Sequence, residues 1–250
     1  MSNNGVGYPL AMRRQIMSKN QPKGIGNIMK HCVAKYTFDG RTNADADRDT
    51  LYDSSGNENH MTLYNMSWGA SYSDSVKEGY FNGALYLRPK ANGGNSYGMV
   101  TLKTPLSEMT LIIKRTPYAI NNNLNVAWCA LIGSGYEPSN ALMSLEYKND
   151  SGIMASQADG LIINERNSQD IVWMNMTHYC GKKLTGTAAG KVHDGRVYLN
   201  KLRGNLYING GNAQKIECIY IFNKSLTPSE IKAVITTEID ATYVMPEIEE

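Results

Sequence analysis

The chain has 250 residues, of which 42% are hydrophobic and 19% are charged, a composition typical of a globular domain. Its formal net charge of +2 gives no electrostatic support for nucleic-acid binding, which favours a strongly basic surface. No run approaches the ~18 consecutive apolar residues of a membrane-spanning helix, and no apolar stretch suited to a secretion signal follows the basic start, so we expect a protein without signal peptide or membrane span that is made in the cytoplasm.

Residues 1–30, which we call the N-terminal arm, form a basic stretch without the pattern of a strand or a strong helix. The arm contains no acidic residue. Its glycine and asparagine residues interrupt the regular spacing of apolar residues that a helix or strand would show. It is too polar to bury a core of its own. Two interpretations stay open: a solvated terminus, or an arm that docks on a neighbouring subunit through Arg13, Arg14, Lys19 and Lys23.

From residue 31 onwards, apolar residues recur at every second position in short runs, which is the pattern of half-buried β-strands. Glycine, asparagine and aspartate separate nearly all of these runs and favour tight turns. About a dozen short strands without intervening helices predict a sandwich or barrel rather than an α/β fold. The runs are 32–38, 61–64, 84–87, 99–102, 109–113, 126–132, 142–147, 161–163, 171–174, 196–199, 205–208 and 216–222.

An acidic segment follows the first predicted strand. Its carboxylates Asp45, Asp47 and Asp49 alternate with other residues, in a pattern that resembles a cation-binding loop. Calcium prefers six or more oxygen ligands, and the segment lacks the glycine and the terminal glutamate of an EF-hand. Two interpretations therefore stay open: a solvated acidic loop, or a calcium site held by these three residues.

Aromatic residues beside amides form a candidate sugar site, because aromatic faces stack on sugar rings and amides bond to hydroxyls. Trp68 and Tyr72 fall in one segment, whereas Tyr118 and Tyr136 border the asparagine-rich stretch 121–125. The alternative is that these side chains pack in or over the core, as strand and loop aromatics usually do.

One helix is clearly predicted near the C-terminus. Thr227 is a suitable N-cap, Pro228 fits the first helical position, and Glu230 completes a capping box. Leu226 and Ile231 are spaced to pack across the cap as a hydrophobic staple. We expect a short helix after the last strand, because β-branched residues follow it. The acidic tail, residues 238–250, is either solvated or docked on a neighbouring subunit.

The sequence contains no recognisable catalytic motif. His178 and Cys180 occupy alternate positions of a predicted strand, but a Cys/His dyad needs a third orienting group, so we expect a structural histidine and a buried thiol. Glu146 and Asp150 flank a predicted hairpin turn rather than a catalytic centre. There is no Gly-x-Ser-x-Gly elbow, no phosphate-binding loop and no Cys/His spacing typical of zinc. The cysteines at 32, 129 and 218 lie in apolar runs and are expected to be buried free thiols.

Four segments in order resemble the laminin-G-like branch of the concanavalin A-like lectin/glucanase superfamily. They span most of the region 36–237, although 115–204 shows no family signature. The resemblance implies an all-β, two-sheet antiparallel jelly-roll sandwich with one short C-terminal helix, and such domains often bind calcium. The segments are Tyr36-Thr37-Phe38-Asp39-Gly40, Asp53-Ser54-Ser55-Gly56-Asn57-Glu58-Asn59-His60, Gly79-Tyr80-Phe81-Asn82-Gly83-Ala84-Leu85-Tyr86-Leu87 and the stretch from Ile219 to Ile231.

The function that we predict is non-catalytic. Glycosidases on this fold carry a Glu-x-Asp-x-x-Glu strand with paired carboxylates, which the sequence lacks. The leader Met12-Arg13-Arg14-Gln15-Ile16-Met17 resembles leaders of virion-related proteins of Bacteroidetes phages. We therefore expect a structural or attachment component of a phage particle, located in the virion.

The predicted domain organisation is the arm at 1–30, a jelly roll at 31–237 and the tail at 238–250. We expect homo-oligomers, with virion proteins or like subunits bound through the arm and a host surface glycan bound by the jelly roll. A free carbohydrate-binding module and a glycoside hydrolase are the alternatives.

Overall fold

The structure is a computed structural model in which short β-strands dominate and the helices are short. The described residues are 24–72, 77–87, 96–118, 129–134, 143–148, 152–157, 162–165, 169–184, 195–202 and 213–250. Within this part of the chain, no helix has the length and hydrophobicity to cross a membrane.

Strands β3, β6 and β13 have the predicted bounds, and each other predicted run within the described residues overlaps a strand. Strands β2, β4, β5, β11 and β15 were not among the predicted runs. The run at 205–208 lies outside the described residues. The strands are β1 (Cys32–Thr37), β2 (Thr50–Leu51), β3 (Met61–Tyr64), β4 (Ala70–Ser71), β5 (Lys77–Phe81), β6 (Ala84–Leu87), β7 (Tyr97–Thr101), β8 (Thr110–Tyr118), β9 (Cys129–Ser134), β10 (Met143–Lys148), β11 (Gly152–Gln157), β12 (Ile162–Glu165), β13 (Ile171–Met174), β14 (His178–Tyr179), β15 (Lys182–Lys183), β16 (Arg196–Leu202) and β17 (Ala213–Phe222).

These strands form two sheets. Sheet 1 has the order β15-β14-β13-β8-β17-β6-β5-β4, and β1 also pairs with β17. Sheet 2 has the order β12-β11-β10-β9-β16-β7-β3-β2. Every described strand pair is antiparallel. The predicted fold class, a two-sheet antiparallel sandwich with a short C-terminal helix, is confirmed.

The core lies between the sheets and continues under the C-terminal helix. Strand β17 contributes Ile216, Ile219 and Ile221, all fully buried, and β13 contributes Trp173. They belong to the same buried cluster as Leu199 and other residues of sheet 2. Burying a large apolar side chain stabilises the fold by about 1.5–3 kcal/mol. This continuous cluster therefore holds the two sheets together.

The N-terminal boundary of the domain lies earlier than predicted. A short helix, α1 (Ile25–Met29), precedes β1 and begins after Gly24, whose φ is +109°. Ile25 is only 2% exposed and belongs to the core cluster. Residues 24–30, which the prediction assigned to the arm, are therefore part of the folded domain. The proposed assembly residues Arg13, Arg14, Lys19 and Lys23 lie outside the described residues.

The segment 53–60, which we call the polar turn, is part of the fold. The carboxylate of Asp53 accepts hydrogen bonds from the backbone N–H groups of Lys35 (2.9 Å), Ser55 (2.8 Å) and Asn59 (3.0 Å). The amide of Asn59 donates to the carbonyl of Val33 and accepts from the N–H of Lys103. Buried backbone groups need partners, and the polar turn supplies them to β1.

The C-terminal helix begins as predicted. Helix α2 (Pro228–Val234) has Thr227 as its N-cap; the Thr227 hydroxyl accepts from the N–H of Glu230 (3.2 Å), whose carboxylate accepts from the N–H of Thr227 (2.8 Å). Leu226 and Ile231 are both fully buried, as a hydrophobic staple requires. The helix does not stop at the β-branched residues but continues as a π-helical turn, Ile235–Ile239.

The acidic tail packs against its own chain. Trp173 Nε1 donates to the hydroxyl of Tyr243 (3.1 Å), and the N–H of Glu249 donates to the carbonyl of Gly181 (2.8 Å). Gly181 has a φ of +91°, and a Cβ there would overlap the carbonyl oxygen of Glu247. Glycine is therefore required for the tail to dock at β14 and β15. This intramolecular contact differs from both sequence-based interpretations of the tail.

Candidate functional site

A polar cleft of about 330 Å³ lies along β17 on sheet 1. Its volume falls within the range of roughly 300–1,000 Å³ typical of small-molecule sites. The walls come from the end of β1, the β5–β6 turn, β8 and the π-helical turn. The lining residues are Thr37, Asp39, Asn82, Gly83, Lys114, Lys215, Glu217, Cys218, Tyr220, Glu238 and Ile239.

A β-bulge in β17 shapes the floor of this cleft. Ile216 pairs with Arg115 and Cys218 pairs with Lys114, so Glu217 is the extra residue. A bulge disrupts strict alternation and re-aims side chains. As a result, the consecutive residues Glu217 and Cys218 both line the cleft, whereas regular strand geometry would place them on opposite faces.

Three charged side chains are fixed across β8 and β17. Lys215 Nζ lies 2.6 Å from Glu217 Oε1, and Lys114 Nζ lies 3.0 Å from Glu217 Oε2. Partial burial alone raises the pKa of Glu217, but the hydrogen bonds from Lys215 and Lys114 outweigh it and hold the pKa below the usual glutamate range. The hydrogen bond to Glu217 likewise raises the pKa of Lys114. Glu217 and Lys114 are therefore charged at neutral pH.

A second ion pair closes the other wall. Lys35 Nζ lies 2.8 Å from Glu238 Oε2 and 5.1 Å from the ring centroid of Tyr220. The Tyr220 hydroxyl donates to the carbonyl of Glu238 across 3.5 Å, and burial raises the pKa of Tyr220 well above its usual value. These contacts attach the π-helical turn to sheet 1 and fix the width of the cleft.

The pKa shifts of Glu217 and Cys218 set the protonation states of these two cleft groups. A glycosidase needs a carboxylic acid with a raised pKa as its proton donor, whereas Glu217 is held as a carboxylate. Burial raises the pKa of the Cys218 thiol to about 11, so the thiolate nucleophile is scarce at neutral pH. The cleft offers hydrogen-bond donors and acceptors in fixed positions.

The three predicted calcium ligands do not converge. Asp45 accepts from the Thr42 hydroxyl and N–H, Asp47 accepts from the Tyr52 hydroxyl (2.8 Å), and Asp49 accepts from Trp68 Nε1 (2.9 Å). Within the described ranges, no three His, Cys, Asp or Glu side chains are placed to hold a metal ion. Calcium binding by these residues stays a prediction without support from the structure.

Of the four predicted sugar-binding aromatics, the side chains of Trp68 and Tyr72 are described. Trp68 is half-buried, stacks on Tyr80 with 5.2 Å between ring centroids, and has the Arg48 guanidinium 5.6 Å from its ring. Tyr72 is 52% exposed. Tyr118 ends β8, four residues beyond the cleft residue Lys114, but its side chain is outside the described part, and Tyr136 lies outside it altogether.

The residues weighed as catalytic candidates have structural contacts. His178 bonds to the Thr177 hydroxyl (2.8 Å) and to the carbonyl of Glu249 (3.0 Å), while the Cys180 thiol contacts the backbone of Trp173. The two side chains therefore have different partners. Strands β10 and β11 form the hairpin predicted around residue 150.

The cysteines at 32, 180 and 218 are buried free thiols, which confirms the expectation for these three positions. The side chain of Cys129 lies outside the described part of the chain.

Sequence reasoning missed the cleft residues Lys114, Lys215 and Glu217. The available signal was the placement of Lys215 and Glu217 two positions apart in an otherwise apolar strand. Lys114 is about a hundred residues away in sequence, and only the pairing of β8 with β17 brings it to Glu217. Neither the bulge nor this pairing has a local sequence signature.

Comparisons with known proteins show the fold. No protein-family model matches the chain, and no curated protein matches it. A structure of botulinum neurotoxin type C, from a study of its interaction with two ganglioside molecules, is similar with a TM-score of 0.55 and 15% identity, covering 86% of this chain and 53% of that chain. The binding domain of botulinum neurotoxin DC in complex with SialylT has a TM-score of 0.52 and 13% identity, covering 84% and 52%.

The sialidase of Trypanosoma rangeli, in complex with sialic acid, is similar with a TM-score of 0.53 and 13% identity, covering 86% of this chain and 34% of that chain. This chain thus spans about half the length of the neurotoxin chains and a third of the sialidase chain. At these identities the likeness shows a shared β-sandwich fold.

Proposed function

We propose that this chain is a non-catalytic, lectin-like domain that binds a glycan in the cleft along β17. The observation that carries the proposal is the fixed array of polar groups around that cleft. Glu217 is oriented by Lys114 and Lys215, and Glu238 is oriented by Lys35. Preorganised polar groups bind a ligand without first losing side-chain freedom, and carboxylates and ammonium groups match the acceptors and donors of sugar hydroxyls.

The structural neighbours are compatible with this proposal. Three of them were studied with gangliosides, SialylT and sialic acid as their ligands. These ligands belong to those proteins, and fold alone does not transfer a function. The position of the proposed site on this chain rests on the cleft itself.

A glycan array followed by calorimetry tests the proposal. We expect the full chain to bind at least one glycan, and Glu217→Gln to weaken that binding at least tenfold, or about 1.4 kcal/mol, because the substitution removes the charge that orients both lysines. Lys103→Ala is the matched control, since Lys103 pairs with Glu58 at 2.9 Å on an exposed surface. Equal losses in both variants, or no glycan binding, would contradict the proposal. Hydrolysis of the bound glycan would favour the hydrolase alternative.

The finer proposal is that the domain is displayed on a phage particle and anchored by residues 1–23. Its support is the basic, acid-free composition of the arm and the resemblance of its leader to virion-related proteins. Deletion of residues 1–23 is expected to leave the thermal unfolding midpoint unchanged and to abolish oligomerisation, measured by light scattering. A truncated chain that still assembles would sink this proposal, and a full-length monomer that binds glycan would favour a free carbohydrate-binding module.

A further inference from the structure

We propose that the cleft accepts an uncharged sugar residue and discriminates against acidic sugars such as sialic acid. This inference rests on the proposed function, because it names the class of glycan for the same site. It follows from how the charges around the cleft are already paired and from the one carboxylate that is left open.

The basic groups beside the cleft are neutralised within the protein. Lys114 and Lys215 both contact the carboxylate of Glu217, at 3.0 and 2.6 Å. Lys35 contacts the carboxylate of Glu238 at 2.8 Å. An anionic ligand that sought one of these ammonium groups would have to compete with a carboxylate that is already bound in good geometry.

The open charged group in the cleft is an acid. Asp39 lines the cleft and is exposed, and within the described part of the chain no hydrogen bond or ion pair engages its carboxylate. A carboxylate accepts hydrogen bonds at both oxygens. Two neighbouring sugar hydroxyls match that geometry, whereas the carboxylate of an acidic sugar would be repelled.

The β5–β6 turn places Asp39 in this position. Asn82 and Gly83 connect the two strands with φ values of +51° and +71°, as a two-residue Asn-Gly hairpin turn requires. A Cβ on Gly83 would lie 2.8 Å from Asp39 Oδ1. Glycine at this position therefore leaves room for the carboxylate beside the turn.

The described charged side chains around the cleft, together with their ion-pair partners, have no net charge. Three lysines, at 35, 114 and 215, face three carboxylates, at 39, 217 and 238. The cleft therefore has no excess positive charge to attract an acidic sugar. Binding of an uncharged sugar should also depend little on ionic strength, because screening acts on charge–charge interactions.

The test is an array of neutral glycans printed beside their sialylated counterparts, probed with the full chain at about 50 and 500 mM NaCl. We expect the neutral form of a bound glycan to bind at least tenfold more tightly, with less than about a twofold change between the salt concentrations. Asp39→Asn should weaken binding of the neutral glycan and reduce its preference over the sialylated form. Glu58→Gln, at an exposed carboxylate outside the cleft, is the matched control.

The outcomes separate this inference from the function on which it rests. Tighter binding of the sialylated form, or affinity that falls steeply with salt, would overturn the preference for uncharged sugars and leave glycan binding intact. An unchanged preference in the Asp39→Asn protein would overturn the role of that carboxylate. Absence of binding to every glycan would overturn the proposed function and the inference together.

Discussion

The polar turn and the cleft are both rich in carboxylates and amides, but they use these groups in opposite ways. Asp53 in the turn is 8% exposed, and its carboxylate is occupied by three backbone donors and the Ser55 hydroxyl. Glu217 in the cleft is 29% exposed and is held by two lysine side chains from the walls of a cavity. The turn directs its polar groups into the protein, whereas the cleft leaves them beside open space.

This difference separates the strongest motif of the sequence from the best candidate site. The Asp-Ser-Ser-Gly-Asn segment stands out because each polar position has a backbone partner within the fold. The cleft residues form no motif, because their neighbours come from distant strands. In this chain a local polar signature therefore indicates structure, whereas the binding candidate is found where charged pairs border empty space.

Removing the central carboxylate of the polar turn should give the largest loss of stability. We expect Asp53→Ala to lower the free energy of unfolding by about 3–5 kcal/mol, because a buried donor without a partner costs about 1–3 kcal/mol and several are orphaned together. Urea denaturation measures the change. Asp47→Ala is the control, since that carboxylate is exposed and its loss should leave the unfolding midpoint nearly unchanged. Equal losses of stability in Asp53→Ala and Asp47→Ala would contradict the claim that the buried carboxylate stabilises the fold more than the exposed one.

A contact between Asn43 and the backbone of β5 should give the next largest effect. The side-chain amide of Asn43 pairs with the N–H and carbonyl of Tyr80 (2.8 and 3.0 Å), and a Cβ on Gly79 would overlap Asn43 Oδ1. Gly79 also has a φ of +115°, so we expect Gly79→Ala to cost about 2–4 kcal/mol through strain and the lost bonds.

The matched control for Gly79→Ala is Gly26→Ala. Position 26 lies in α1, and no atom lies within 4 Å of the added Cβ. Replacing a helical glycine by alanine at such a position is neutral or stabilises by up to about 1 kcal/mol. If the two variants show the same change in melting temperature, the Asn43 contact does not hold the segment between β1 and β2 to β5.

In the cleft, the same kind of substitution should change binding more than stability. Glu217 and its two lysines are each more than a quarter exposed, and such ion pairs contribute only about 0–1 kcal/mol. Glu217→Gln should therefore unfold within about 1 kcal/mol of the unmodified chain while glycan affinity falls. A large loss of stability in Glu217→Gln would show that Glu217, like Asp53 in the polar turn, is a structural residue.

The smallest predicted effect is a pH dependence of the difference in unfolding free energy between the unmodified chain and Glu217→Gln. The folded-state pKa of Glu217 lies below its ordinary value of 4.5, so the ionised form stabilises the fold above that pH. This contribution should be constant at neutral pH and should disappear as the pH falls through the lowered folded-state pKa. Denaturant titrations of the unmodified chain and Glu217→Gln between about pH 3 and 8 measure it. A difference that persists at the acid end would contradict this assignment.

Several elements could be predicted from the sequence because their causes are local. The bounds of β3, β6 and β13 follow from short apolar runs between turn residues. The start of α2 follows from the capping box of Thr227 and Glu230, whose two hydrogen bonds join residues three apart. Strand alternation and helix capping depend on residues only a few positions apart. The sequence alone therefore carries enough information to place these strands and the start of this helix.

The candidate sites required the tertiary structure. Alternation along Asp45, Asp47 and Asp49 suggested a shared face, but the loop there consists of turns, and the carboxylates acquire separate partners. The cleft depends on the bulge at Glu217 and on the register that sets Lys114 opposite Cys218. Burial of Ile25 and docking of the tail are likewise contacts between distant segments. The sequence by itself determined the strands, the cap and the sandwich, because neighbouring residues decide them. Register, bulge and cleft were decided only when segments about a hundred residues apart paired and packed.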